Sequence, residues 1–474
     1  MSDRSAVAVA WSTDGLTIGY RSPLQLGLRL GDYVAVDGVG DGEPRLAQLL
    51  SQRSVERDGR LWVEGSGQLL GHGASGAPFD RSAMAAAGVD LIRGLLGRGG
   101  SGLELGHLQR APELPATIDA KGFNRHTFMC GQSGSGKTYA LGGLLEQLVL
   151  RTRLPLLVLD PNGDHVGLGR TRPDVEPDLA ARYAAAATAV RVLRADPAEG
   201  EEALRVRFRD LGTAGAAALL QLDPLDDRRE YNALIHTLAT GPEQGFASVE
   251  AAIESFRTSD DAVLDQIVMR AENLGIDRMS AWAGLSGTPV RAVGDVWRRD
   301  QPRALVADTS GFERRRERIM VAVAVLEQLW ADRHHRQPLL LVVDEAHDVC
   351  PADPADPLER LAVDLFTRIA GEGRKYGIYL LLASQRPDKL PDNVLTQCDN
   401  LLLMRVNSAG DRASLADRFA FVPPELVELS ATFGLGETLR AGRISPNPQL
   451  ARTGPRLTPE GGADIPTDWA DWAD

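Results

Sequence analysis

At 474 residues the chain has room for about three domains of ordinary size. Its three cysteines, Cys130, Cys350 and Cys398, are too scattered for a disulfide scaffold or a paired-cysteine zinc site. Hydrophobic residues make up 43% and charged residues 25%, a globular balance, and no apolar run approaches the roughly 18 residues of a membrane helix. The net charge of −13 speaks against a surface coated for nucleic acid, yet the acid is local: residues 197–300 hold 18 acidic against 11 basic residues, and the last fourteen hold four Asp and no cation. A basic groove elsewhere therefore stays open. Met1-Ser2-Asp3-Arg4 leads into an apolar stretch at 6–11 that is too brief for a secretory signal, which predicts a cytoplasmic protein.

Residues 1–70 alternate short apolar runs with Asp14-Gly15, Asp41-Gly42 and Asp58-Gly59, the rhythm of a small β-barrel or sandwich. The Gly- and Ala-rich stretch 71–115, including Gly97-Arg98-Gly99-Gly100-Ser101-Gly102, predicts a connector with one helix at 83–96. From residue 126 the texture changes to continuous apolar runs, at 126–130, 156–159, 304–307, 339–343, 378–383 and 401–406. Such runs are strands buried on both faces, so the fold class is α/β with a mostly parallel sheet. Its two parts, 116–196 and 301–445, flank an acidic insertion at 197–300 with helical spacing, read as a lid or a contact surface. Residues 446–474 form a tail that ends in two Trp among acids, either a docking segment or a stretch without fixed structure.

After the first buried run stands Gly131-Gln132-Ser133-Gly134-Ser135-Gly136-Lys137-Thr138, followed by an apolar helix that opens on Tyr139. This is the G-x-x-x-x-G-K-[ST] phosphate loop in its strand and helix setting. The backbone N–H groups of Gly131, Ser133, Gly134, Ser135 and Gly136 turn inward around phosphate, and the helix N-terminus adds partial positive charge. Lys137 reaches the β- and γ-phosphates of ATP, and the Thr138 hydroxyl ligates Mg²⁺. The run 339–343 delivers Asp344 and Glu345 at the carboxyl end of a strand, where open α/β sheets bind ligands. Asp344 suits the Mg²⁺ shell, and Glu345 suits orienting or deprotonating the attacking water.

Asp356-Pro357 reads as an N-cap followed by proline at the first helical position, with apolar residues at 358, 361, 362, 365, 366 and 369 on one face. Arg374 and Lys375 follow that helix. They are either cations that enter a neighbouring copy's site or positive charge favoured by a helix C-terminus. Gln385, at the tip of the run 378–383, is either a sensor of the γ-phosphate or an ordinary turn residue. Asp160-Pro161-Asn162-Gly163-Asp164-His165 reads as a tight turn after a strand, and Arg125 and His126 are surface or site-facing residues. The run Arg314-Arg315-Arg316-Glu317-Arg318 reads as the solvated start of a helix.

The segments HTFMCGQSGSGKTYAL (126–141), LVLDPNGDH (157–165), LLVVDEAH (340–347) and EGRKYGIYLLLASQRPDKLPDNVLTQCDN (372–400), with Gly434-Leu435-Gly436-Glu437 near the end, resemble the HerA/FtsK superfamily of ring-forming P-loop motors, and its HerA branch most closely. The likeness covers 116–196 and 301–450. It implies a RecA-like ATPase core behind an N-terminal barrel, a homohexamer with nucleotide at subunit boundaries, duplex DNA as the threaded partner, and a nuclease or other effector on the barrel face. By motif it makes Lys137 and Thr138 the phosphate and Mg²⁺ ligands, Asp344 the metal support, Glu345 the catalytic carboxylate and Gln385 the γ-phosphate sensor. Arg374 becomes the preferred finger acting on a neighbouring copy, with Arg125 second; Tyr139 joins the nucleotide contacts. The expected activity is that of an ATP-hydrolysing DNA translocase or helicase in DNA end processing, repair or defence. A ring-shaped scaffold that licenses an effector is the alternative, and a small-molecule kinase the weaker third.

Overall fold

The computed structural model describes residues 7–38, 43–57, 59–71, 77–96, 102–240, 249–257, 262–283 and 291–461. The chain divides into two compact units, residues 1–123, 130–140 and 399–455 in the first and 124–129, 141–398 and 456–474 in the second. The first unit opens with β1 (Val9–Ser12), β2 (Thr17–Pro23), β3 (Tyr33–Val36), β4 (Arg45–Arg57), β5 (Arg60–Leu69) and β6 (Phe79–Ala86). They close into a barrel in the order β1-β2-β5-β4-β3-β6. Period-two alternation turns Ala10, Ile18, Tyr20, Val34, Val36, Leu49 and Met84 inward as its core. At Gly65 a Cβ would lie 1.9 Å from the Ser51 carbonyl oxygen, so only glycine lets β5 pass β4 where the register shifts between Leu49 and Ser51.

The barrel does not stop at residue 70, because β6 is needed to close it, and the helix expected at 83–96 is shorter, Val89–Leu96. Apart from Phe79 and Met84 the segment FDRSAMAA is small and polar, with no β-branched residue to mark it as a strand. Likewise the end of the stretch read as connector, 102–115, folds together with 116–119 into an antiparallel hairpin, β7 (Gly102–Leu108) and β8 (Ala111–Asp119). The glycine stretch 97–101 and the tail 467–474 lie outside the described residues.

Next along the chain come β9 (His126–Cys130), β10 (Leu156–Asp160), β11 (Val190–Arg194), β12 (Glu202–Ala203), β13 (Ala304–Asp308), β14 (Leu339–Val343) and β15 (Ile378–Ser384). Their order is β12-β11-β13-β10-β14-β15-β9, and the pairs from β12 through β15 are parallel. Five of the six expected apolar runs are these strands, and β9, β10, β13 and β14 are buried at every residue. β11 went unread because Arg191 and Arg194 interrupt it, as suits a position near the sheet edge. The sixth run is a correction: β16 (Cys398–Leu403) starts three residues earlier than expected and pairs antiparallel with β17 (Glu437–Gly442). β18 (Ser445–Arg452) pairs with β17 and β7, so the residues after 445 continue as a strand of the first unit rather than a tail.

The insertion is mostly helical, with helices Gly212–Leu219, Arg228–Thr240, Val249–Arg257, Ala262–Asn273 and Val293–Asp300, and its Trp282 is buried, the indole N–H donating to the Ile276 carbonyl at 2.7 Å. Helix Pro357–Glu372 starts as read: the Asp356 carboxylate accepts from the Glu359 N–H at 2.9 Å and proline occupies the first turn. The arginine run that opens helix Arg315–Ala331 is not simply solvated. Arg315 pairs with Glu359 and Arg316 with Asp356, fastening two helices at their starts.

In helix Arg315–Ala331, Glu327 lies over Gly212 and Gly215, with Oε2 buried and unbonded among the described residues. Burial pushes its carboxyl up to about 7. The folded state thus holds this proton more tightly than the unfolded one, so the site's stabilising contribution is full below about pH 4.5 and is lost as pH rises through about 7. Glu327→Gln should leave stability near pH 4.5 unchanged and raise it by roughly 1–3 kcal/mol at pH 8, read from urea midpoints at the two pH values.

Candidate functional site

In the first unit, the loop after β9 turns on two glycines in the left-handed region, Gly134 at φ 70° and Gly136 at φ 89°. A Cβ at Gly131 would meet Ser135 Oγ at 2.7 Å and Met404 Cβ at 2.8 Å, so a side chain there would close the loop. Helix Lys137–Arg151 begins at the loop's end and presents its first N–H groups there. The loop is braced from behind. Gln132 N–H donates to the Arg405 carbonyl at 3.0 Å, Arg405 donates to the Gly134 carbonyl at 3.1 Å, and Asn407 N–H donates to Gln132 Oε1 at 2.9 Å. Gly436 N–H donates to the Ser135 carbonyl at 3.0 Å, which gives the closing Gly434-Leu435-Gly436-Glu437 segment a role as a buttress.

Two donors in this cradle, Ser135 Oγ and Arg405 Nε, are buried without hydrogen-bond partners among the described residues. Orphaned donors beside inward-turned backbone amides fit a polyphosphate. Arg405, Asn407 and Gln132 escaped the sequence reading; the only available signal was a polar Arg-x-Asn stretch directly after a buried strand.

In the second unit, the carboxyl ends of β10, β13, β14 and β15 carry Asp160, Asp308, Asp344-Glu345 and Ser384-Gln385. Glu345 is only 7% exposed and its backbone is left-handed, φ 42° and ψ 50°, a costly conformation for a residue with a side chain. Asp344 Oδ1 accepts the Glu345 N–H at 2.9 Å and steadies this turn. Gln385 Nε2 donates to Glu345 Oε1 at 2.7 Å, so these two expected site residues are brought together. His347 Nδ1 stands 3.5 Å from Glu345 Oε2 and 3.2 Å from Ser384 Oγ, adding a second polar contact to the same carboxylate.

The Asp160–His165 turn is more than a strand end. Asp160 is fully buried and accepts from the N–H groups of Asn162 at 3.3 Å, Asp164 at 3.1 Å and His165 at 2.8 Å. Burial pushes the Asp160 carboxyl up, and the His165 charge and those amides offset only part of the rise. His165, also fully buried, places Nε2 3.5 Å from Asp344 Oδ2. Burial disfavours its charge, but Asp344 and Asp160 outweigh that and raise its pKa above the ordinary value. Asp308 is held by Arg194 Nε at 3.1 Å and by Ser310 Oγ at 2.6 Å.

Arg374 and Arg125 are elsewhere. Arg374 lies in the turn Gly373–Tyr376 before β15, and Arg125 precedes β9, so both stand at the amino ends of their strands. Asp160→Ala should strip three backbone donors of their acceptor and cost about 2–4 kcal/mol in urea unfolding. Asp160→Asn, which keeps one acceptor oxygen, should cost less.

The central domain of helicase HerA matches residues 103–291. The chain is 22% identical over 404 residues to the DNA double-strand break repair helicase HerA of Pyrococcus furiosus, covering 77% of this chain and 71% of that protein. It is 31% identical over 130 residues to a probable DNA double-strand break repair helicase HerA of Methanocaldococcus jannaschii, covering 27% of this chain and 25% of that one. Among solved structures, VirB4 of Thermoanaerobacter pseudethanolicus shares the fold at a TM-score of 0.51 and 16% identity, over 75% of this chain and 97% of that one. With a phosphate loop of this construction and an acidic pair at the tip of a buried parallel strand, the chain is a P-loop ATPase similar to the HerA helicases.

Proposed function

We propose that this ATPase is a DNA translocase or helicase that works as a homohexameric ring, with ATP held between neighbouring copies, in DNA end processing, repair or defence. One observation carries the reading: Gln385 and Arg374 stand at opposite ends of the seven-residue β15. A strand of that length spans about 23 Å. One copy therefore cannot bring its Arg374 to its own Glu345 and Gln385, whereas a neighbour's Arg374 has no such restriction. The likeness to DNA repair helicases supports DNA as the substrate, and the barrel offers a face for a nuclease or other effector.

In this reading Lys137 and the loop amides bind the β- and γ-phosphates, with Tyr139 and Arg125 as further nucleotide contacts, and Glu345 takes up the proton of the attacking water. Gln385 reports the γ-phosphate to Glu345 through the 2.7 Å bond between them. A Mg²⁺ ion, with Thr138 and Asp344 as its ligands, would neutralise charge developing on the phosphates. Arg374 of the next copy stabilises the transferring phosphoryl group, so turnover requires the ring and shifts one copy against another.

Lys137→Ala should lose nucleotide binding, and Glu345→Gln should bind ATP without turning it over. Arg374→Ala should assemble and bind ATP yet turn over at least a hundredfold more slowly, with activity partly regained in rings mixed from Arg374→Ala and Glu345→Gln chains. An Arg374→Ala protein with full turnover as a single copy would sink the reading. Duplex DNA should stimulate hydrolysis, steeply less so as salt rises. Turnover indifferent to DNA beside a stable effector complex would instead mark a licensing scaffold.

A further inference from the structure

The amino-terminal ends of β9 and β15 hold a side chain that the nucleotide chemistry does not use. His126, the first residue of β9, is fully buried, and both ring nitrogens are engaged. Nδ1 accepts the Leu380 N–H at 2.9 Å, and Nε2 donates to the Ala370 carbonyl at 3.0 Å. A ring that accepts at one nitrogen and donates at the other is the neutral tautomer with its proton on Nε2. Burial, then the positive charges of Arg374 and Arg125, push its pKa down to about 4, which keeps the ring neutral at working pH.

The two bonded groups bracket one segment. Ala370 belongs to the last turn of helix Pro357–Glu372, and Leu380 is the third residue of β15. Between them lies the turn Gly373–Tyr376 with Arg374, closed by Gly377 at φ 85°. The helix end and the strand start are thus fixed to a single rigid ring, and the turn has little freedom left between its two anchors. Arg125 is joined to that ring through the backbone, so one buried side chain sets where two arginines emerge.

From this geometry we infer that His126 is a positioning residue: through its bonds to Ala370 and Leu380 it holds the turn that aims Arg374 at the neighbouring copy. The inference rests on the reading of Arg374 as a finger acting between copies. A finger stabilises charge that develops in the transition state. Misplacing it should therefore lower kcat for ATP and leave KM nearly unchanged, the pattern of an interaction made only in the transition state.

The test is a double-mutant cycle on the full-length assembled protein, with kcat and KM for ATP, native mass and thermal midpoint measured for each variant. His126→Phe fills the site without either bond and should lower kcat about tenfold or more at unchanged KM and native mass. His126→Gln, which retains a donor for Ala370, should fall between it and the parent and guards against a phenylalanine variant that does not fold. In the Arg374→Ala background either change should have no further effect on kcat, because the group it positions is gone. Full kcat in both His126 variants while Arg374→Ala is inactive would overturn the inference alone. So would a loss that multiplies with that of Arg374→Ala, or a fall in thermal midpoint with normal kcat. Full turnover by Arg374→Ala would instead overturn the finger reading.

Discussion

A parallel sheet has two unlike ends, and the chemistry of this protein follows from that asymmetry. Every strand of such a sheet points the same way, so the residues that leave the strands gather at one edge and those that enter them gather at the other. Here the leaving edge of the second unit collects Asp160, Asp308, Asp344, Glu345 and Gln385. The entering edge carries Arg125, His126 and Arg374. No rotamer change moves a side chain across the height of a strand, so the acidic and basic edges of one copy cannot meet. Under the proposed reading of Arg374, the polarity of the sheet becomes a requirement for a second copy.

Assembling four carboxylates at one edge is unfavourable unless each has a fixed partner. The fold supplies those partners, some from the same turn and some from distant parts of the chain. Asp160 takes three backbone amides of its own turn, Asp308 takes Arg194 and Ser310, Glu345 takes Gln385, and Asp344 faces His165. The left-handed backbone at Glu345 is the residual strain. It bends the chain at the end of β14, where the carboxylate is held by a side chain from the next strand instead of running on into solvent.

Much of this was legible from residues alone, because the signals are local. A strand buried on both faces must be apolar throughout, which exposed β9, β10, β13, β14 and β15 directly. Gly134 and Gly136 had to be glycine for a loop that turns left-handed twice, and Asp356-Pro357 announced its helix because capping involves neighbours in sequence. Strands with weaker local marks were missed or misplaced. β6 is mostly small and polar residues, β11 is interrupted by arginines, and the apolar run of β16 does not record the direction of its partner.

The sequence by itself determined the α/β class, the phosphate loop and the acidic pair, since each is written in residues a few positions apart whose spacing is a backbone requirement. Only the tertiary structure decided that Gln385 bonds Glu345, that Arg405 and Gly436 brace the loop, and that His126 spans Ala370 and Leu380. Those pairs lie 40 to more than 300 positions apart. Separations that long are bridged by strand order and burial, which depend on the packing of the whole sheet and leave no local trace in the chain.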